Sequence, residues 1–456
     1  MTQLADKSIP MTNFAPHEEL AAGGPEWLEL LRAAGLDRFN AVGFPTIRQE
    51  NWRHTNVAAI ARTAFKLATP EGANSAAETA GRFGFGKDAA CELVFVNGQF
   101  MPRLSRLGRL PRGVRAMGLA EAIDTDPDSL ENELGRYAQV DANPFVALNS
   151  GYVRDGAFIH LSRGVSLLQP IHLLFVSVPS WEPAVSHPRV LIVAEEGAQA
   201  SIVESYVGEG RGIYFTNAVT EIVLADDANI DHCKVQQENL DAFHVATMQV
   251  ELGRKAKFVS HSASLGSKLT RNDLNVCLSG DGADATLNGL VLIGDAQHVD
   301  NHTLLDHARP NCPSHELYKH VLGGKSSGVF KGKILVRQAA QKTDSKQTSK
   351  CLMLSDDAVM TSMPALEIYA DDVKCTHGST TGPVDEDQVF YLRSRGVGVE
   401  AARHLMTYAF AADITRRIRV EPVRRRLEEY MAAQHGLPLD LRITDLASHD
   451  EAVRQL

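Results

Sequence analysis

The sequence has few cysteines, and none of them belongs to a closely spaced pair. The six thiols of this 456-residue chain lie far apart, and no two have the CxxC spacing: Cys91, Cys233, Cys277, Cys312, Cys351 and Cys375. This spacing excludes a structural zinc finger and a ferredoxin-type cluster motif. A long chain with a few scattered cysteines is typical of a reduced protein, so we expect a cytoplasmic location and no disulfide framework.

Long apolar runs and an excess of positive charge are also absent. No stretch of about 18 apolar residues predicts a membrane-spanning helix, and the N-terminus lacks the basic and apolar segments of a signal peptide. The net charge of −10 argues against a dedicated nucleic-acid-binding protein. The 44% of hydrophobic residues and 22% of charged residues instead indicate a globular protein, long enough for about three structural units.

The chain carries no complete nucleotide-binding motif. The sequence Gly323-Gly324-Lys325-Ser326 resembles the end of a P-loop, but the glycine that the motif requires five positions before Gly324 is replaced by Lys319. The neighbouring residues are β-rich, whereas a P-loop leads into a helix. We therefore interpret this segment as a tight turn between strands.

Three regions differ in their pattern of apolar residues. Residues 1–144 are predicted to be an α-rich N-terminal region, in which the Gly-rich segment 70–87 is interpreted as a loop. Residues 145–384 contain short β-rich runs separated by polar turns and no helix-length amphipathic segment. Residues 385–456 are predicted to be a C-terminal helical region, with two or three helices over residues 386–435.

The middle region repeats a strand–turn–strand unit. Aligning Val193, Leu224, Leu252 and Leu278 as equivalent positions gives steps of 31, 28 and 26 residues. An irregular repeat of this length predicts a β-solenoid, because one coil cannot bury its apolar face alone and stacks on the next. A β-sandwich with coincidentally similar turns is the alternative.

Apolar residues cover more than one face of the helix predicted over residues 401–418. Such a helix buries two faces, so we expect one face on the end of the solenoid and the other on a partner. Arginines between positions 416 and 426 border this surface and suit an acidic partner, although a solvated helix face with local ion pairs is the simpler interpretation. The candidate docking residues are Tyr408, Phe410, Arg416 and Arg417.

The segment around Cys375 and His377 is the strongest candidate for chemistry. On a strand, residues two apart point to the same face, so the thiol and the imidazole are predicted to project side by side. Thiolate and imidazole ligands together suit iron, and the adjacent Lys374 is expected to lower the pKa of the thiol. A buried cysteine beside a hydrogen-bonded histidine is the equally weighted alternative.

Five histidines and one cysteine cluster between positions 298 and 320. Imidazole and thiolate groups are ligands of borderline metals, so a metal site is conceivable here. No histidine pair lies in the helical context of an HxxxH motif, because the region is predicted to form strands and turns. We therefore favour turn and core histidines over ligation for this group: His298, His302, His307, Cys312, His315 and His320.

The segment around Cys375 also resembles the signature of a known family. The runs from Asp371 to Gly382 and from Asp385 to Gly396 are similar to those of the SufB/SufD family, the scaffold subunits of the SUF iron–sulfur cluster assembly machinery. Further similarity lies in Gly332-Lys333-Ile334, in the polar run 338–347 and in the segment from Glu50 to Thr55. The resemblance extends over residues 45–435 and is most specific over residues 325–400.

Within this family the chain resembles the SufD branch more than the SufB branch. SufB-type chains usually carry a cluster-building cysteine in the motif after Phe390-Tyr391, and this chain has Leu392 there. SufD-type chains carry the Cys-x-His-Gly form found at Cys375 and His377. The resemblance thus implies that these two residues are candidate iron or cluster-assembly positions at an interface with SufB.

The resemblance also implies a fold and a set of partners. The expected fold is mainly β, a right-handed parallel β-helix flanked by α-helical N- and C-terminal regions. The expected function is that of a non-enzymatic scaffold that pairs with SufB through the β-helix and binds the ATPase SufC through its C-terminal helices, with a homodimer possible in isolation. No tightly bound cofactor is expected in this chain alone, only transient iron or a nascent cluster in the complex.

A β-helix carbohydrate-active enzyme is the alternative function. Such enzymes usually need paired carboxylates or a calcium site on one sheet. Asp371 and Asp372 are adjacent, so on a strand they face opposite ways, which weakens this interpretation. If the scaffold interpretation holds, residues 386–435 are expected to dock the ATPase, and residues 436–456 to matter less.

Overall fold

Helices dominate the N-terminal part of the protein. The computed structural model describes residues 23–70, 72–208 and 210–434. Two of the helices begin at a proline, Pro127 and Pro144, in the first turn where no backbone N–H is needed. The elements are α1 (Glu26–Val42), a 3₁₀ turn (Glu50–Trp52), α2 (Ala58–Arg62), α3 (Ala73–Phe83), a second 3₁₀ turn (Gly86–Asp88), α4 (Leu119–Thr125), α5 (Pro127–Glu131) and α6 (Pro144–Gly151).

Two long sheets form the body of the molecule, and the chain alternates between them. Nearly all neighbouring strands are parallel. The first sheet contains β1 (Lys66–Leu67), β4 (Val114–Gly118), β5 (Gly156–Leu161), β7 (Ala184–Ser186), β8 (Arg189–Ala194), β10 (Tyr214–Leu224), β12 (Phe243–Leu252), β14 (Leu269–Leu278), β16 (His298–His307), β18 (Ser327–Val336), β20 (Val359–Ser362) and β21 (Ala365–Ile368). The second sheet contains β2 (Cys91–Val96), β3 (Gln99–Phe100), β6 (Ile171–Ser177), β9 (Gln199–Gly208), β11 (Asn229–Gln237), β13 (Lys257–Ser264), β15 (Asp284–Ile293), β17 (Pro313–Leu322), β19 (Asp344–Met353) and β22 (Lys374–Pro383).

This alternation confirms the predicted β-solenoid and most of its predicted register. Leu224 pairs with Leu252, and Leu252 pairs with Leu278. The first step is wrong by one residue, because Leu224 pairs with Ala194 and not with Val193. The alignment of the internal repeats matched Leu224 with the bulkier Val193, whereas the inward-facing position is occupied by the small Ala194. A slip of one residue on a strand exchanges the inward and outward faces.

Side chains of successive coils stack inside the solenoid. Phe95, Phe175 and Tyr206 occupy one register position on β2, β6 and β9, and their ring centroids are 4.5 and 4.7 Å apart. The same interior holds a continuous cluster of buried hydrophobic residues from Cys91 to Ala370. Burial of this apolar column supplies the main driving force for the fold.

The segment 70–87 is not the loop that its composition suggested. Helix α3 occupies most of it, and Ala76, Ala80 and Phe83 are buried against Val94 and Leu174 of the second sheet. Their spacing of four and three residues places them on one face of the helix. Alanines make this stripe weakly hydrophobic, so the glycines around it dominated the sequence interpretation.

The segment from Glu50 to Thr55 fixes the N-terminal region to the first sheet. The Trp52 ring is buried, and the Arg271 guanidinium of β14 lies 4.5 Å above its centre. The same guanidinium binds Asp300 of β16 at 2.6 Å, and the Thr55 hydroxyl donates a hydrogen bond to that carboxylate. These buried, charge-assisted contacts join the N-terminal region to the coils.

Up to residue 434, three helices follow the last strand, in agreement with the two or three predicted: α7 (Glu386–Ser394), α8 (Val399–Thr415) and α9 (Glu421–Gln434). The Asp385 side chain caps α7 by accepting from the backbone N–H groups of Asp387 and Gln388. Gly396, with φ +88°, turns the chain between α7 and α8. No helix in the described ranges is long and apolar enough to span a bilayer. Residues 436–456, for which a minor role was predicted, lie outside the described residues.

These C-terminal helices pack on the side of the solenoid and not on its end. Leu290 and Val321 point outward from β15 and β17 and are buried together with Ile414 and Leu427 of the helices. The expectation that the helical region covers the end was wrong, because the second sheet has its own apolar outer face. The last coil is left uncovered by the described helices.

Candidate functional site

The solenoid ends on strands with a free hydrogen-bonding edge. In the second sheet β22 pairs with β19, and in the first sheet β20 and β21 pair with β18, with no further strand beyond them in the described part of the chain. Proteins usually cover such edges, since unpaired N–H and C=O groups attract another strand. This end, which we call the open coil (residues 359–383), is therefore a natural surface for association.

Cys375 and His377 lie on β22 in the open coil and point toward the solenoid axis. Cys375 is in register with Ser345, and His377 is in register with Gln347. Ser345 and Gln347 are both buried inside the solenoid. Since in-register residues of parallel strands share a face, the thiol and the imidazole project inward side by side, as predicted.

The side chains of Cys375 and His377 differ in their exposure to solvent. The Cys375 thiol is partly buried against the interior cluster, whereas His377 is exposed. Burial raises the pKa of the Cys375 thiol, and a backbone hydrogen bond at Ser345 only partly opposes this effect. The prediction that Lys374 lowers this pKa was wrong, because Lys374 lies on the opposite, outward face of the strand.

Two short polar columns lie directly beneath these residues. The Ser314 and Ser345 hydroxyls are 2.7 Å apart beneath Cys375. The Gln347 amide donates to the Glu316 carboxylate at 2.6 Å beneath His377. Burial raises the pKa of Glu316 to about 7. Sequence reasoning gave these residues no role, because strands about 30 positions apart in sequence become neighbours only through the solenoid register.

The open coil supplies two potential metal ligands and not a complete site. Within residues 23–70, 72–208 and 210–434, no group of three or more His, Cys, Asp or Glu side chains is arranged to hold a metal ion. One thiol and one imidazole leave a four-coordinate iron short of ligands. Any iron bound here therefore needs ligands beyond these two side chains.

The histidines between positions 298 and 320 are dispersed over both sheets. His298 bonds the Thr55 hydroxyl at 2.9 Å, and His302 lies 3.1 Å from Asp300. His307 bonds Ser314 at 3.0 Å, whereas His320 is buried on β17 and His315 points outward from the same strand. The favoured interpretation of this group as turn and core histidines agrees with these positions.

The lysine–serine segment that resembles a P-loop forms a turn. Residues 323–326 connect β17 to β18, and Gly324 has φ +57°. A Cβ on Gly324 would lie 2.8 Å from the backbone nitrogen of Asp295 in the preceding coil. Gly324 is therefore required because successive turns stack closely, and not because a phosphate binds there.

The candidate docking residues are divided between the solenoid contact and the surface. Phe410 is half-buried, and Lys319 of β17 lies 4.5 Å from its ring centre and donates to its backbone carbonyl at 2.9 Å. Tyr408 is also half-buried among the helices. Arg416 is exposed, and Arg417 pairs with Asp413 one turn earlier at 3.2 Å.

Helix α7 presents two exposed aromatic residues that the sequence interpretation did not select for docking. The Phe390 side chain is 70% exposed and that of Tyr391 is 52% exposed, whereas the neighbouring Val389 is buried. Exposed aromatic side chains are enriched in protein interfaces. The apolar run at 389–392 was the available signal, but only the packing of α7 shows which of its residues face outward.

Comparison with known proteins assigns the chain to a family. A family profile described as the SUF system FeS cluster assembly, SufBD core domain, matches residues 177–410, and the SufBD protein N-terminal region matches residues 14–173. An iron–sulfur cluster assembly SufBD family protein of Synechocystis is 32% identical over 88% of this chain and 90% of its own length. The iron–sulfur cluster assembly protein SufD of Escherichia coli is 30% identical over 88% of this chain and 94% of its own length. The chain therefore belongs to the SufBD family of the SUF iron–sulfur cluster assembly system and is a homologue of SufD.

Proposed function

We propose that this chain is a non-enzymatic, cytoplasmic scaffold subunit that pairs with a SufB-type partner and binds a SufC-type ATPase. Iron or a nascent cluster is its cargo, held transiently at the interface with the partner. The family membership favours this function over a carbohydrate-active enzyme. An isolated chain is expected to pair with a second copy through the same surface.

The open coil is the observation that carries the proposal. Its strands offer free backbone groups to a partner strand, and its interior presents the exposed His377 beside Cys375. A partner solenoid that continues the sheets would enclose both side chains in a drier environment. The partner would then supply the missing ligands, which suits the incomplete ligand set on this chain.

The ATPase is expected to bind the C-terminal helices. Phe390 and Tyr391 on α7 and Arg416 after α8 are exposed and can contact a partner without disturbing the solenoid. Because the same helices are packed along the second sheet, movement of the ATPase would act on strands that adjoin the open coil. Leu392 lies where SufB-type chains usually carry a cysteine, and it is packed among these helices. The absence of that thiol here supports cluster building on the partner.

Replacement of His377 by alanine tests the proposed site. In cells that depend on this chain for cluster assembly, His377→Ala is expected to abolish the activity of iron–sulfur enzymes, because iron loses its most exposed ligand. Cys375→Ser is expected to have a milder effect, since the cluster-building cysteine belongs to the partner. Enzyme activity and the melting temperature of each purified variant are measured together.

Thr376→Ala is the matched control, because Thr376 is exposed on the same strand but points outward. It should leave both enzyme activity and melting temperature unchanged. Normal iron–sulfur enzyme activity in the His377→Ala strain would reject the site. A loss in Cys375→Ser as complete as that in His377→Ala would instead make Cys375 a principal ligand.

A further inference from the structure

Gln347 is a buried amide with an unused acceptor directly beneath the candidate ligand His377. Its side chain is 1% exposed, and its Oε1 atom has no hydrogen-bond partner among the described residues. A buried carbonyl without a hydrogen-bond donor destabilises the folded state, so such groups are uncommon without a role.

Two neighbours determine how this amide is oriented. Its Nε2 group donates to Glu316 Oε2 at 2.6 Å, which directs the NH₂ end toward the preceding coil. Gly332 of β18 leaves room for it, since a Cβ at that position would lie 2.2 Å from Nε2. The carboxylate and the glycine thus hold the amide in place, and Oε1 is the end left free.

His377 occupies the next position in the same column. Glu316, Gln347 and His377 are in register on β17, β19 and β22. Neighbouring strands lie about 4.8 Å apart, and in-register side chains can bond across that spacing. The hydrogen bond from Gln347 to Glu316 spans the same distance between neighbouring strands, one coil earlier. Across the same spacing, rotation of the exposed imidazole would turn a ring N–H toward Oε1.

We propose that Gln347, oriented by Glu316, is a positioning residue that accepts a hydrogen bond from one ring nitrogen of His377 and so directs the other nitrogen toward iron. This inference rests on the proposed function of His377. A neutral imidazole carries one N–H and one lone pair, and a bond to the N–H selects the tautomer. Outer-shell acceptors of this kind orient histidine ligands and typically change metal affinity 10–100-fold.

The tautomer of His377 can be measured directly in the full-length protein. Histidine side chains labelled with ¹⁵N give ring signals by NMR, and the His377 signals are those missing from His377→Ala. The wild-type protein is expected to show one dominant neutral tautomer. Gln347→Met, which matches glutamine in size but lacks the amide oxygen, is expected to show a mixture of both tautomers. In cells it should lower iron–sulfur enzyme activity about tenfold.

Ser349→Ala is the matched control, because Ser349 is buried on the same face of β19 and its hydroxyl also has no partner among the described residues. It should leave the His377 signals and the enzyme activity unchanged. Identical His377 signals in wild type and Gln347→Met would overturn the inference, even where His377 itself is required. Normal enzyme activity in His377→Ala would reject the proposed function, whatever the tautomer.

Discussion

Gly280 illustrates how closely successive coils approach each other. It lies in the turn between β14 and β15, and a Cβ there would lie 2.0 Å from the backbone nitrogen of Arg254 in the preceding coil. That backbone cannot move away without breaking the parallel register of the neighbouring strands. The glycine is therefore required by the stacking of turns and not by an unusual φ angle.

Gly280→Ala is expected to lower the free energy of unfolding by about 1–3 kcal/mol, the usual cost of forcing extra volume into a packed region. Thermal melting and urea titration measure the change. Gly294→Ala is the control, because Gly294 lies in the next turn and a Cβ there meets no atom within 4 Å. Its effect should be within about 0.5 kcal/mol. Equal stability of the two variants would contradict the proposed contact.

Helix α7 has separate inner and outer surfaces within one turn. Val389 is buried, whereas Phe390 and Tyr391 are exposed. Deleting residues 386–456 is an ambiguous test of ATPase docking, because it also exposes the apolar outer face of the second sheet around Leu290 and Val321. Substitutions confined to the exposed residues separate docking from stability.

The double substitution Phe390→Ser and Tyr391→Ser is expected to lower ATPase co-purification at least tenfold, since exposed aromatic residues often dominate binding energy. The melting temperature should stay unchanged, because neither side chain is buried. Val389→Ser should have the opposite profile, with a lower melting temperature caused by a polar group in the core. Full ATPase recovery with the double variant would place the docking site elsewhere.

Buried histidines make the stability of the whole molecule sensitive to acid. Burial lowers the pKa of His187 to about 3 and that of His261, His307 and His320 to about 4. The unfolded chain, with a histidine pKa near 6.5, binds more protons below that pH, so stability falls as the pH falls. Some buried carboxyl groups oppose this trend, because burial raises the pKa of Glu316 to about 7 and also raises the pKa of Asp155 and Asp231.

The free energy of unfolding is therefore expected to fall between about pH 6.5 and about pH 4, by up to about 1.4 kcal/mol per histidine and pH unit. The melting temperature, measured across this range, should fall with it. His320→Phe should reduce this slope, because the side chain lies among Tyr318 and Phe330 and its replacement does not titrate. A melting temperature that is constant over this range would show that these histidines accept protons without unfolding the protein.

The sequence by itself determined the features that depend on local periodicity. Alternating apolar residues and polar turns predicted the solenoid, and the acidic start at Asp385 with the stop at Gly396 predicted the C-terminal helices. The spacing of Cys375 and His377 was enough to place both on one face of a strand. The solenoid follows from a strand–turn–strand unit repeated along the chain, and the other two features follow from the geometry of a few consecutive residues.

Only the tertiary structure decided which distant residues become neighbours. It paired Leu224 with Ala194 and not with Val193. It also put Gln347 beneath His377, and Lys374 on the face of β22 opposite the Cys375 thiol. It also placed the C-terminal helices along the side of the solenoid, which left the open coil uncovered. These features depend on contacts between strands about 30 residues apart, and the relative burial of whole faces sets such contacts, which no local pattern encodes.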